Sequence, residues 1–462
     1  MRIINEYKKS GYFWLPENPD IKIPGTLTIF DGGRIELEVV GLFDESIAAL
    51  NGQDDLSRIV GDVESDGFVT LENCFYKKKN YAFGGIAKSL IYANKVISGV
   101  AYDKDELLTF NSISFSVEGL NEWVGITGIS VNYSSDYKSA TIEYEPQSEI
   151  VFHLKNDFKL HIFFAYTLPG FSKTTEAKIT QRTYFKLSSE HTRELSEFTT
   201  LIHQLTYFLC FAVDDTVTIA DVTASSNELV TQTEGDKSRP IPIKLYYPSL
   251  PFSETKPKIE THKMLFQFHH IIENAESIFN NWLIAYTQIR PAIGLYFSAV
   301  AGTYKYLDGR FLALAQALET YHRRTSTETL MDVDKFRNLL AQLLWLCPKK
   351  HRLWLKGRLY HGNEINLGLR IKRIIEPYRT YLGNSKQRNK LIRDIVNTRN
   401  YLTHYSESLE LSSAKGIDLW LLCQKIEAIF QLHLLQQLGF TNEEVEMLLK
   451  DNYKIKQKFK EI

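Results

Sequence analysis

The segment LIRDIVNTRNYLTHYSE, Leu391 to Glu407, brings Arg399, Asn400 and His404 within six residues of one another. A guanidinium grips two phosphate oxygens at once, which an ammonium does less well, and an imidazole with an unperturbed pKa near ~6.5 takes or gives a proton at neutral pH. These types suit a phosphate-bearing ligand. Helical spacing puts Ile392, Ile395 and Leu402 on a core-facing stripe that also takes in Arg399. A second stripe, Arg393, Asn397, Asn400 and His404, runs beside it at i, i+4, i+7 and i+11. Arg399 and His404 are about 140° apart around a straight helix, so sharing one phosphate requires the long arginine side chain or a helix end near Tyr405. Other constellations fail. There is no G-x-S-x-G elbow and no C-x-x-C pair, and His269, His270 and Glu273 have no second such group to complete a metal site. No metal and no cofactor is expected.

The charge around this segment is lopsided. From Lys349 to Arg399, 51 residues hold 14 Lys and Arg against Glu364, Glu376 and Asp394, a local charge of +11, while the other 411 carry −12. Such asymmetry points to nucleic acid, because each neutralised phosphate releases condensed counterions. Lys349, Lys350, Arg352 and Arg393 are the candidate nucleic-acid-binding residues.

The elements that must position these groups divide into two kinds. Up to about residue 187 short alternating runs rich in Thr, Val, Ile, Phe and Tyr follow one another, and Asp31-Gly32-Gly33 offers a tight hairpin inside Gly25 to Phe43. That spacing predicts an antiparallel β sandwich or barrel-like domain. From Ser188 the period becomes helical, with Ser188 or Ser189 as N-cap, and after a polar stretch at 222–261 the chain reads as an all-α bundle. The helices fall at His262 to Tyr286, Tyr304 to Arg324, Met331 to Leu346, Leu367 to Tyr381, Lys386 to His404 and Ile417 to Leu438, and a last one opens at a Thr441 and Glu444 capping box. The expected domains are 1–188, β-rich and regulatory; 189–300, a mixed helical connector; and 301–462, the bundle. With 462 residues, 44% hydrophobic, and no apolar run near the ~20 residues of a membrane span, the chain reads as a globular cytoplasmic protein. Its four cysteines are far apart and read as reduced thiols.

Arg399 to His404, RNYLTH, resembles the R-polar-x-x-x-H signature of HEPN ribonuclease domains, and RFLALAQALETYHRR, Arg310 to Arg324, resembles the first bundle helix of the ApeA-like HEPN subfamily. The stretch GYFWLPENPDIKIPGTLTIFDGGRIELEVVGLF is similar to the β-rich N-terminal domain of ApeA proteins, which are bacterial anti-phage defence proteins. The resemblance implies a metal-independent endoribonuclease that cuts RNA, with tRNA among the candidate substrates, and causes abortive infection on a phage-derived trigger. It implies catalytic roles for Arg399, Asn400 and His404, with support from Asn397 and from Glu319 as partner of Arg399 or His404, and a homodimer or higher oligomer that faces two motifs together. Residue chemistry agrees: such cleavage needs a base for the 2′-hydroxyl, an acid for the leaving 5′-oxygen and a cation for the phosphorane. The competing reading is a non-catalytic RNA-binding or scaffold HEPN protein.

Overall fold

The computed structural model describes residues 1–43, 55–80, 87–171, 175–233, 237–302 and 304–459. The chain forms two compact units, Met1–Asn280 and Asn281–Ile462. The strands of the first are β1 (Tyr7–Trp14), β2 (Ile23–Ile29), β3 (Ile35–Val40), β4 (Asp55–Val63), β5 (Gly67–Lys79), β6 (Lys88–Ala93), β7 (Lys95–Ser98) and β8 (Thr109–Val117). They continue with β9 (Ile129–Tyr133), β10 (Ala140–Tyr144), β11 (Ile150–His153), β12 (Phe158–Thr167), β13 (Thr180–Glu194), β14 (Ile219–Ser225), β15 (Val230–Thr233), β16 (Lys237–Pro240) and β17 (Ile243–Tyr246).

Thirteen of these make one antiparallel sheet in the order β11-β12-β13-β8-β14-β17-β7-β5-β4-β1-β2-β3-β6. Because β6 also pairs with β5, the first six strands close into a barrel and the rest extend from β5 as an open sheet. Closure removes the edge that β6 would otherwise expose. Alternate residues fill the barrel, among them Phe13, Leu27, Leu37, Ile59, Leu71 and Ile91. Gly61 is required there, since a Cβ at that position would come within 2.5 Å of the Phe13 ring. Gly32 and Gly33 take φ of 93° and 85°, which gives the β2–β3 hairpin its tight turn. Two helices, α1 (Leu120–Val124) and α2 (Leu195–Val213), pack on β13, and Trp123 meets Phe185, Phe208 and Phe268 between them.

Two expectations are corrected here. The helix expected from Ser188 begins at Leu195, with Glu194 as its N-cap, because β13 continues to Glu194 past a bulge between Ser188 and Arg193. The boundary at 188 and the connector 189–300 do not appear as such: β14 and β17 join β8 and β7 in the same sheet, and the units divide at Asn280, inside α3 (Ala275–Gln288).

The second unit is helical: α4 (Arg290–Val300), α5 (Leu307–Thr325), α6 (Val333–Leu346), α7 (Arg352–Leu359), α8 (Leu367–Ile375), α9 (Ser385–His404), α10 (Glu407–Glu410), α11 (Gly416–Leu438), α12 (Asn442–Asp451) and α13 (Tyr453–Phe459). Helix α5 packs against α4, α8, α9 and α11. Helix α11 is apolar nearly all round and buries residues such as Leu422, Ile426, Ile429, Phe430 and Leu434, as a central bundle helix must. The polar groups it buries have partners: Glu427 takes Arg310 and Lys458, each at 2.6 Å, and Gln431 donates to Tyr296 Oη at 3.0 Å. The Thr441 capping box forms as expected. Helices α6 and α7 pack on each other and bury no residue of their own. Among the described residues no helix is long and apolar enough to cross a membrane.

His433 of α11 supplies a pH handle on this unit. It sits between the Tyr321 and Tyr378 rings, its Nε2 donates to the Ile374 carbonyl at 2.8 Å, and burial pushes its pKa down to about 4. A folded-state pKa below the free value near ~6.5 means that the unfolded chain binds the proton more readily, so this stabilisation is complete above pH ~6.5 and is lost as pH falls toward ~4. At about 1.4 kcal/mol per pH unit the loss approaches ~3 kcal/mol. The thermal midpoint of this unit is expected to fall between pH 7 and pH 5 less in His433→Gln than in the native protein. Equal falls in both would remove His433 as the cause.

Candidate active site

Helix α9 opens on a reciprocal cap, Asn384 Oδ1 accepting from the Gln387 N–H at 3.0 Å and Gln387 Oε1 from the Asn384 N–H at 2.8 Å. It closes at His404, where Tyr405 turns left-handed at φ 50° and donates its N–H to Tyr401 O at 2.6 Å. His404 is thus the last helical residue, exposed, at the negative end of the helix dipole. The core-facing stripe is Leu391, Ile395, Thr398 and Leu402, a correction to the expected one. Ile392 is only half-buried, and Thr398 goes inside because its hydroxyl accepts from the Ala414 N–H at 2.9 Å. Arg399 consequently lies at the edge of the buried face rather than on it.

That edge brings three of the expected residues together. Arg399, 36% exposed, donates from Nη1 to Asn400 Oδ1 at 3.2 Å and holds Nη2 at 3.8 Å from Glu319 Oε2 on α5. Glu319 also accepts from Arg323 Nε at 3.1 Å, and Arg323 Nη1 donates to Glu364 Oε2 at 2.5 Å. Glu364 further meets His361 Nδ1 at 2.5 Å, and the Arg323 guanidinium beside it holds its carboxyl below the usual range. Arg323, Glu364 and His361 were not among the residues expected, although Glu319 and Arg323 stand four apart on one helix, the spacing of an acid–base pair. Behind them Arg370 is buried against His322, with Nη1 3.3 Å from its Nδ1. Burial first, and the Arg370 charge second, lower the His322 pKa and favour its neutral form.

The remaining candidates are more scattered. Asn397 is half-buried on α9, and Arg393 is exposed on the rim of a groove of about 710 Å³ that Lys372 and Lys386 also line. Lys349 and Lys350 are exposed in the single turn between α6 and α7. Arg352, by contrast, spends its guanidinium on the end of α6, donating to Cys347 O and Trp345 O at 3.0 Å each. It closes a turn, so Lys349 and Lys350 are the better measure of this segment's affinity for anions.

Residues 8–282 match the family model of ApeA N-terminal domain 1, and residues 312–444 match that of the Apea-like HEPN domain. No curated protein and no solved structure matches the chain. The second match contains Glu319, Arg323 and the whole of α9 with Arg399, Asn400 and His404. The first alone spans more than half of the 462 residues, and together they show that the chain belongs to the ApeA family of HEPN-domain proteins.

Proposed function

We propose that this protein is a bacterial anti-phage ribonuclease that cuts RNA, tRNA being one candidate, without a metal ion and so aborts infection. The observation that carries the reading is the end of α9, where Arg399 is poised by Asn400 and Glu319 five residues before an exposed His404, inside the region similar to Apea-like HEPN domains. In the proposed reaction the 2′-oxygen attacks the adjacent phosphorus as its proton passes to a base, and the bond to the 5′-oxygen breaks as that oxygen takes a proton from an acid. His404 serves as one of the two proton carriers. Arg399 leaves its Glu319 contact to grip the non-bridging oxygens as charge builds on them, and Asn400 keeps the guanidinium aimed.

One motif holds one such imidazole, so the reading includes a homodimer that brings a second motif to the same phosphate. The test is cleavage of end-labelled RNA by the purified protein in EDTA, with light scattering on the same sample. Products ending in a 2′,3′-cyclic phosphate and a 5′-hydroxyl from a species of twice the 53.4 kDa chain mass are expected. Activity that vanishes in EDTA, or full activity in a strict monomer, overturns the mechanism or the dimer respectively. RNA bound by the wild-type protein but never cut marks a non-catalytic RNA-binding or scaffold protein instead.

Among its described residues the β-rich unit carries no candidate catalytic set, and in this reading it restrains the nuclease until a phage component binds, as a population shift between silent and active states. Lysate from phage-infected cells is expected to raise RNA cleavage by the full chain above that with uninfected lysate. Equal rates with both would discard the restraint.

A further inference from the structure

The hairpin of α6 and α7 has the wrong surface for a solvated arm. Its half-buried positions, such as Phe336, Leu340, Leu344 and Leu355, leave the larger rings outside: Trp345 is 76% exposed, Trp354 62% and Tyr360, just past α7, 74%. At about 150–250 Å² per aromatic side chain these three together expose roughly 400 Å² to solvent. Between Asp334 and Glu364 the chain has seven Lys and Arg and no acid, and Asp334 is itself held by Arg337 at 2.6 Å. A second copy docking on this face would set cation against cation. A polyanion with flat apolar bases fits both properties, since bases stack on exposed rings while phosphates meet the cations between them.

The hairpin also leads to the motif. Asn363 ties its base to the preceding loop, with Leu330 N donating to Asn363 O and Asn363 Nδ2 to Met331 O, both at 2.9 Å. The next residue, Glu364, begins the succession of ion pairs through Arg323 and Glu319 to Arg399. We propose that this hairpin is a stacking platform for single-stranded RNA, with bases on Trp345, Trp354 and Tyr360 and phosphates at Lys349, Lys350 and Lys356. The proposal deepens the ribonuclease reading, on which it rests for its choice of RNA, by making the substrate an unpaired strand.

The test uses the full-length chain carrying His404→Ala, so that bound RNA stays whole, and a fluorescein-labelled oligouridylate of about 12 nucleotides, within the usual span of such sites, beside a blunt RNA duplex of that length. The single strand is expected to bind more than ~10-fold tighter than the duplex, and Trp345→Ala with Trp354→Ala to weaken it ~10- to 100-fold. Phenylalanine at both positions should restore most of the affinity. Lys349→Glu with Lys350→Glu should lower the slope of log affinity against log salt by about 2. Both tryptophans are exposed, so unchanged circular dichroism and thermal midpoint in the alanine pair are expected and keep the comparison valid. With His404 intact, the alanine pair should raise KM and leave kcat alone. Unchanged oligouridylate affinity and KM in that pair, with RNA still cut, overturns the platform and leaves the ribonuclease standing. Tryptophan-dependent binding by a wild-type protein that never cuts RNA supports the platform and fails the ribonuclease. Tryptophan-dependent capture by phosphatidylserine vesicles without RNA binding, or self-association lost in the pair with RNA affinity intact, overturns the platform in favour of a membrane or a second copy.

Discussion

Replacing His404 by alanine is expected to slow RNA cleavage ~10²-fold or more while RNA affinity stays within about twofold, because general acid–base catalysis contributes that much and one imidazole adds little attraction for phosphate. His404 is exposed at a helix end, so its removal opens no cavity and the fold should be untouched. Arg399→Ala should also abolish cleavage, with a different signature: affinity falls as well, since a bidentate phosphate grip is lost. It should cost little stability. Arg399 is 36% exposed, and Glu319 keeps Arg323 at 3.1 Å after Arg399 is gone, so no buried charge is stranded. Single-turnover rates and fluorescence anisotropy on the three proteins separate these effects. A folded His404→Ala protein that cuts at the native rate removes His404 from the chemistry.

The largest expected effect on stability lies elsewhere, at Glu427. Its two oxygens hold Arg310 Nη2 and Lys458 Nζ at 2.6 Å each, and the Glu427 and Lys458 side chains are only 7% and 5% exposed. Glu427→Gln keeps the shape and deletes the charge that Arg310 and the buried Lys458 ammonium face, a loss of about 3–5 kcal/mol. Glu427→Gln combined with Lys458→Met removes both charges and should recover much of that loss. Urea midpoints of the three proteins test this, with hydrogen exchange in α13 to show whether that helix detaches first. A single variant within ~1 kcal/mol of the native protein would mean that water reaches the pair.

How much of this could be read beforehand varied with how local the cause was. The end of α9 at His404 follows from short-range signals, helical spacing and a polar stretch after Tyr405. The Glu319–Arg399 contact joins two helices distant in the chain and is expected only from the family resemblance, with His404 as the other partner. The face of α9 lacks such signals, because a threonine adds nothing to an apolar stripe and the bond of Thr398 to Ala414, sixteen residues on, has no local signature. Strand β4 escaped notice for a similar reason. It buries Arg58, Ile59, Val60 and Gly61 in succession instead of alternating, with Arg58 satisfied by Glu72 and by the carbonyls of Asp103 and Glu106. That the first unit runs past residue 188 depends on β17 pairing with β7, a partnership that no window of neighbouring residues contains. Helix α6 has the pattern of a bundle helix, and only the structure reveals that it buries nothing.

That same β7–β17 pairing orders events during synthesis. It joins residues 95–98 to 243–246, so the open part of the sheet waits for Tyr246, roughly 8 to 30 s after Lys95 at about 5–20 residues per second. The closed barrel of β1 to β6 has all its strands by Ala93, and the carbonyls that satisfy Arg58 follow by Glu106, so it can form in that interval. A further interval of similar length separates Tyr246 from Arg399, long compared with the milliseconds to seconds in which β domains fold. Chain order therefore completes the β-rich unit before the proposed cutting residues exist, so that under the proposed function a translating cell would make the restraint before the nuclease.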